Sequence, residues 1–237
     1  MPSLDLANTD GAGAPTTGIG NGNLDDGGAP FEVESTNPGE QVTFNLQVAL
    51  EAGQPANSFD LSTGTLPEGW IVEFFLPDGT PILNTGALIP TDTDGAVLDY
   101  IAVVTIPEGA PPATDNIVFT ATSPSNGATD SLTNAVTVNE VVDISLVADT
   151  NVQAAPGGVA VIPHTLTNLG NSTVTAGAFD LGLTDSFADQ GLAAALFYDA
   201  DDDGLLGPSD PLITNLSGIT GPDGVCLLYT SPSPRDS

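Results

Sequence analysis

An all-β chain of antiparallel sandwiches in tandem is what this sequence predicts, on three observations. Apolar side chains recur at every second position in short runs, the signature of strands with one buried face. Gly and Pro, 27 and 20 of the 237 residues, are scattered along the chain, which punctuates it into many short elements joined by turns. Hydrophobic residues make up 40%, enough for real cores and more than an acidic disordered tail carries.

Residues 1–30 are mostly Gly, Asp, Asn, Ala and Thr. With many turn formers and little to bury, they are expected to be a flexible linker or the end of a preceding module. From Phe31 the alternation begins. In Gln41 to Ala49, Val42, Phe44, Leu46 and Val48 point one way, while Thr43, Asn45 and Gln47 point the other. A turn at Leu66-Pro-Glu-Gly-Trp70 leads into an apolar strand from Ile71 to Leu76, and Pro77-Asp-Gly-Thr80 closes a hairpin. Ala96 to Ile106 alternates again through Leu98, Tyr100, Ala102 and Val104. Runs at Asn116–Thr122 and Ser131–Val138 bring the total to about seven strands in about 110 residues, the size and strand count of an immunoglobulin-like sandwich. That module is expected to span residues 31–139.

A second copy is expected over residues 140–225. Pro38-Gly-Glu-Gln-Val-Thr-Phe-Asn-Leu is echoed by Pro156-Gly-Gly-Val-Ala-Val-Ile-Pro-His-Thr-Leu, and Ser58-Phe-Asp-Leu-Ser by Gly177-Ala-Phe-Asp-Leu-Gly. Val72-Glu-Phe-Phe-Leu-Pro-Asp-Gly is matched by Ala195-Leu-Phe-Tyr-Asp-Ala-Asp-Asp-Asp-Gly. Three echoes in one order indicate a tandem repeat. The second copy stops before the counterparts of the first copy's last strands, so it is expected to be truncated, with one sheet edge unpaired. Residues 226–237 hold the sole Cys and the sole Arg. Cys226-Leu-Leu-Tyr-Thr-Ser-Pro-Ser-Pro-Arg-Asp resembles an in-frame translation of a transposase-type sequencing adapter, and the natural sequence is expected to end near Val225.

The motifs Pro38-Gly-(x)2-Val-Thr-Phe, Leu66-Pro-(x)-Gly-Trp, Leu76-Pro-Asp-Gly-Thr-Pro and Thr105-Ile-Pro-Glu-Gly-Ala-Pro-Pro resemble the repeated immunoglobulin-like modules of large bacterial cell-surface and secreted proteins. The resemblance covers residues 31–225 and departs from the usual pattern in lacking Lys and Arg. It implies a non-catalytic structural or adhesive spacer, extracellular or at the cell surface. Its partners would be neighbouring repeat modules of the same chain and a cell-surface or polysaccharide ligand. Two alternatives stay open: an accessory, non-catalytic module of a secreted polysaccharide-degrading enzyme, or a component of an S-layer.

Charge narrows the function classes. Asp and Glu number 31 against one Lys or Arg, for a formal charge of -30 at pH 7. Nucleic-acid binding rests on clustered cations that displace counterions, so a nucleic-acid partner is excluded. An anionic membrane surface is excluded for the same reason, and the sequence has no apolar stretch of about 18 residues to cross a bilayer. The carboxylates have to be neutralised by solvent cations, bound metal or backbone amides, which suits a cation-rich extracellular medium.

The sharpest motif is Asp199-Ala-Asp-Asp-Asp-Gly-Leu-Leu-Gly-Pro-Ser-Asp210. Counting Asp199 as position 1, carboxylates fall at positions 1, 3, 5 and 12 with Gly204 at position 6, the spacing of a Ca²⁺ loop. The expected ligands are Asp199, Asp201, Asp203, the backbone carbonyl of Leu205, and Asp210. Phe197-Tyr198 before the loop and Pro211-Leu-Ile after it place it between strands, unlike an EF-hand. An ordinary acidic turn has the same composition; the lack of a nearby cation to relieve repulsion favours metal. Asp92-Thr-Asp-Gly-Ala-Val-Leu-Asp99 has no full ligand set and reads as a turn. His164, the sole imidazole, shares a face with Ile162 and Leu166 and reads as a strand residue, not a catalytic base. Trp70, at the start of a strand, reads as core and not as a carbohydrate platform. The sequons at Asn171 and Asn215 carry meaning only where the source glycosylates them.

Overall fold

A computed structural model describes residues 4–17, 29–148, 152, 155, 158–173, 181, 194–201, 203–214 and 225–232. It is all-β, with no helix among these residues and therefore none long and apolar enough to cross a membrane. The chain divides into two compact units, Met1–Glu140 and Val141–Ser237.

The first unit contains β1 (Leu4–Thr9), β2 (Pro15–Thr17), β3 (Val33–Thr36), β4 (Gln41–Leu50), β5 (Asp60–Thr63), β6 (Ile71–Phe75), β7 (Pro81–Ile82), β8 (Ala96–Thr105), β9 (Ala113–Thr122) and β10 (Thr129–Val138). One sheet has the order β2-β1-β4-β8-β6-β7 and the other β3-β10-β9-β5. With β1, β4, β5, β6, β8, β9 and β10 taken as strands A to G in chain order, the sheets read A-B-E-D and C-F-G. These are the strand orders of the immunoglobulin sandwich. Neighbours pair antiparallel except β3 and β10, which are parallel.

Period-two patterning explains the core. Val42, Phe44, Leu46, Val48 and Leu50 of β4 turn inward, as do Tyr100, Ala102 and Val104 of β8, and they meet Ile117, Phe119 and Ala121 of β9. Phe44 and Phe119 touch edge to face across the two sheets at 5.6 Å between ring centroids, and each such side chain contributes about 1.5–3 kcal/mol by burial. Tyr100 is enclosed deeply enough that burial pushes its phenol pKa up. Trp70, 8% exposed, belongs to the same core. The Pro77–Thr80 hairpin turn forms as expected, with Gly79 at φ 86°.

The expectation of a linker over residues 1–30 does not hold for Leu4–Thr17. β1 supplies strand A, pairing with β4 from Leu4↔Leu50 to Asn8↔Leu46, and Leu4, Leu6 and Ala7 are buried. Six residues with two Leu have no amphipathic signal of their own. Their burial comes from partners about forty and more than 120 residues away, which local pattern reading does not see.

The second unit is described as one five-stranded antiparallel sheet of β11 (Ile144–Ala148), β12 (Val159–Asn168), β13 (Ala195–Tyr198), β14 (Leu212–Ile213) and β15 (Val225–Pro232). Its order, β11-β12-β15-β13-β14, is position for position that of β1-β4-β8-β6-β7. The echoed segments fall on matching strands, β4 with β12 and β6 with β13; residues 177–180 of the remaining echo lie outside the described residues. Val225–Pro232, which covers part of the suspected adapter tail, pairs with β12 and β13. A run of Val, Leu, Tyr and Thr has the propensity to fill a sheet whatever the origin of its codons.

Candidate metal site in the β13–β14 loop

The loop from Asp199 to Asp210 is a hairpin connection. Its neck is closed by the Tyr198 N–H donating to the Pro211 carbonyl at 3.0 Å. Asp199 is buried at 3% exposure; its two carboxylate oxygens accept the N–H groups of Asp203 at 3.2 Å and Gly204 at 2.8 Å. Gly204 sits at φ +72° with nothing within 4 Å of where a Cβ would stand. Glycine is therefore required by the backbone turn and not by lack of space. Asp203 accepts the N–H of Leu205 at 2.7 Å, and the Ser209 hydroxyl donates to Asp201 at 2.7 Å.

These turns bring one carboxylate oxygen each from Asp199, Asp201 and Asp203 within 4.8 Å of one another. Oxygens bound to one Ca²⁺ at 2.3–2.6 Å lie at most about 5 Å apart, so the trio fits a single coordination sphere, and an all-oxygen donor set suits a hard cation. Asp201 and Asp203 are exposed, leaving the trio open to solvent on that side.

Of the four predicted carboxylate ligands, these three lie together. Asp210, also buried, braces the neck: its oxygens accept the N–H groups of Ala200 at 3.1 Å and Gly207 at 2.6 Å. Leu205 follows the trio with its side chain in solvent. Ser209 was missed by sequence reasoning, although its place one residue before Asp210 was readable. At the weaker motif, Asp94 and Thr91 close a turn through Asp94 N–H to Thr91 Oγ1 at 2.9 Å, and Asp99 accepts from Gln47 at 2.7 Å. His164 is half-buried on β12 beside Ile162 and Leu166.

No protein-family model matches the chain, and no curated protein matches it in sequence. Among solved structures it is similar to the major pilin subunit of Bacillus cereus at 12% identity and a TM-score of 0.35, over 90% of this chain and 67% of that one. For the CupB6 tip adhesin of Pseudomonas aeruginosa the figures are 10%, 0.32, 100% and 90%. For a family 123 glycoside hydrolase of Clostridium perfringens they are 13%, 0.31, 45% and 22%. All three scores are too low to carry an argument about function.

Proposed function

We propose that this chain is a non-catalytic structural or adhesive part of an extracellular or cell-surface protein, built from two copies of one sandwich module, the second of which binds Ca²⁺. The observation that carries the reading is the sandwich of the first unit, with sheet orders β2-β1-β4-β8-β6-β7 and β3-β10-β9-β5; the sequence echoes of β4 and β6 on β12 and β13 support a second, truncated copy. A repeated scaffold extends a chain by stacking like units. Composition supports it: the sole His lies within a strand, and Lys is absent.

Asp199, Asp201 and Asp203 would hold the cation, which would supply the positive charge that side chains do not. Asp210 would keep the loop neck shut. In this reading calcium stiffens the β13–β14 hairpin, so the mechanical state of the array follows extracellular calcium. Isothermal titration of the chelator-treated chain with CaCl₂ is expected to give saturable binding that Asp201→Ala weakens at least tenfold. An absence of binding heat, together with unchanged melting in calcium, would overturn the calcium assignment.

A further inference from the structure

The β9–β10 hairpin turns through Ser123-Pro-Ser-Asn-Gly-Ala128, between the register partners Thr122 and Thr129. Pro124 to Gly127 are exposed. The sequence has two Asn-Gly steps, Asn21-Gly22 and Asn126-Gly127, and the second lies among the described residues. The side-chain amide carbon of an asparagine is within reach of the main-chain nitrogen of the next residue. A glycine there brings no Cβ to crowd the approach, and Gly127 has nothing within 4 Å of where one would stand. In the folded turn both reacting groups are occupied. The Gly127 N–H donates to the Ser123 carbonyl at 3.0 Å, and Asn126 Oδ1 accepts the Ala128 N–H at 3.0 Å. The Ser123 N–H closes the neck on the Ala128 carbonyl at 2.7 Å. Two hydroxyls tie the turn to a separate segment: Ser123 Oγ and Ser125 Oγ each donate to Asn57 Oδ1 at 3.0 Å, and Asn57 is bridged to Leu88.

We propose that Asn126 is a site of spontaneous covalent modification by intramolecular deamidation, and that the hydrogen bonds of this turn set its rate. When the turn opens, the Gly127 nitrogen attacks Asn126 Cγ. The N–Cγ bond forms, the Cγ–Nδ2 bond breaks, and the proton lost from the Gly127 nitrogen is returned to Nδ2, which leaves as ammonia. Solvent water then adds to either carbonyl of the cyclic imide. Opening at the side-chain carbonyl leaves aspartate, and opening at the main-chain carbonyl leaves isoaspartate. Water is the sole co-reactant. Aspartate keeps an oxygen for the Ala128 N–H. Isoaspartate routes the main chain through the side-chain methylene, which lengthens the turn and takes the Gly127-to-Ser123 bond out of register. Either product adds a carboxylate to a chain of charge -30 with one Lys or Arg. Opening has to precede attack, so each bond that holds the turn shut lowers the reactive population.

The full chain is incubated in mildly alkaline buffer made with ¹⁸O-labelled water, in one arm native and in the other unfolded in urea at the same pH, and position 126 is followed by peptide mapping. Aspartate and isoaspartate are both expected there, each carrying the label, and the native rate is expected to fall about tenfold or more below the urea rate. Ser125→Ala, at an exposed position, removes one bond to Asn57 and leaves the core untouched. It is expected to raise the native rate about two- to tenfold, the change in opening equilibrium that one hydrogen bond supports, and to leave the urea rate unchanged. A native chain with no product at position 126 after the unfolded chain has reacted fully, or one that yields aspartate without isoaspartate, would overturn the site. Equal rates in the native and unfolded chains, or a native rate that Ser125→Ala does not move, would overturn the control by the turn.

Discussion

Asp201→Asn distinguishes a metal site from an acidic turn by the sign of its effect. Three carboxylates offer oxygens within 4.8 Å of each other, and two unit charges at that distance repel by about 0.9 kcal/mol in water. The substitution removes two of the three pairs, about 1.7 kcal/mol, which screening over a Debye length of about 8 Å reduces to about 1 kcal/mol. The hydrogen bond from Ser209 survives, because the amide oxygen still accepts. In EDTA the variant is therefore expected to be the more stable, by about 4–8 °C in Tm for a unit of this size. In calcium at a hundred times Kd the wild type gains about 2.7 kcal/mol. The variant, short of one charged ligand, gains less, and the order of the two transitions reverses. Differential scanning calorimetry in EDTA and in CaCl₂ reads both signs. A variant that melts below the wild type in both media by the same amount would refute the reasoning.

Two further predictions concern the first unit. Burial, with the neighbouring Glu34 second, holds the Glu32 carboxyl above its ordinary value of 4.5, and its Oε2 is buried without a hydrogen-bond partner. A raised folded pKa favours the fold at low pH and loses that contribution as pH rises through the folded value. Glu32→Gln is thus expected to raise Tm at about pH 7 and to have little effect near pH 4; equal shifts at both would contradict this. Phe119→Ala removes a fully buried ring that touches Phe44 and Phe74 edge to face at 5.6 and 6.4 Å. Urea unfolding should show a loss of about 3–5 kcal/mol, and a loss below about 1.5 kcal/mol would mean that the core collapses around the gap.

The body of the first sandwich was legible because each main strand carries its own signal. Val42 to Leu50 and Leu98 to Val104 alternate over enough residues to fix both the element and its inner face. The A strand was not legible. Leu4 and Leu6 are two apolar residues among turn formers, and what makes them a strand is β4 beside them and Asp130 and Asn134 across from them. In the calcium-type loop, spacing located Asp199, Asp201, Asp203 and the left-handed Gly204. Linear spacing does not show that the amides of Ala200 and Gly207 converge on the Asp210 carboxylate.

A chain with 31 carboxylates and one Arg has to specify its packing with almost no ion pairs, and the first unit does so with neutral groups. Asn8 and Asn134 key the two sheets together. Asn57 Oδ1 gathers the Ser58 N–H at 2.9 Å and the Ser123 and Ser125 hydroxyls at 3.0 Å each. Thr114 with Thr137, and Thr122 with Thr129, pair hydroxyls across β9 and β10 at 2.9 and 3.2 Å. Such bonds contribute about 0.5–1.5 kcal/mol each, and salt does not screen them as it screens ion pairs. Added salt therefore acts in one direction, weakening repulsion among carboxylates without weakening the contacts that fix the fold. Dispersed carboxylates are served by a diffuse atmosphere of monovalent ions. Oxygens within 4.8 Å of each other gain more from one divalent ion than from that atmosphere, so the proposed calcium belongs to this loop and not to the acidity of the chain as a whole.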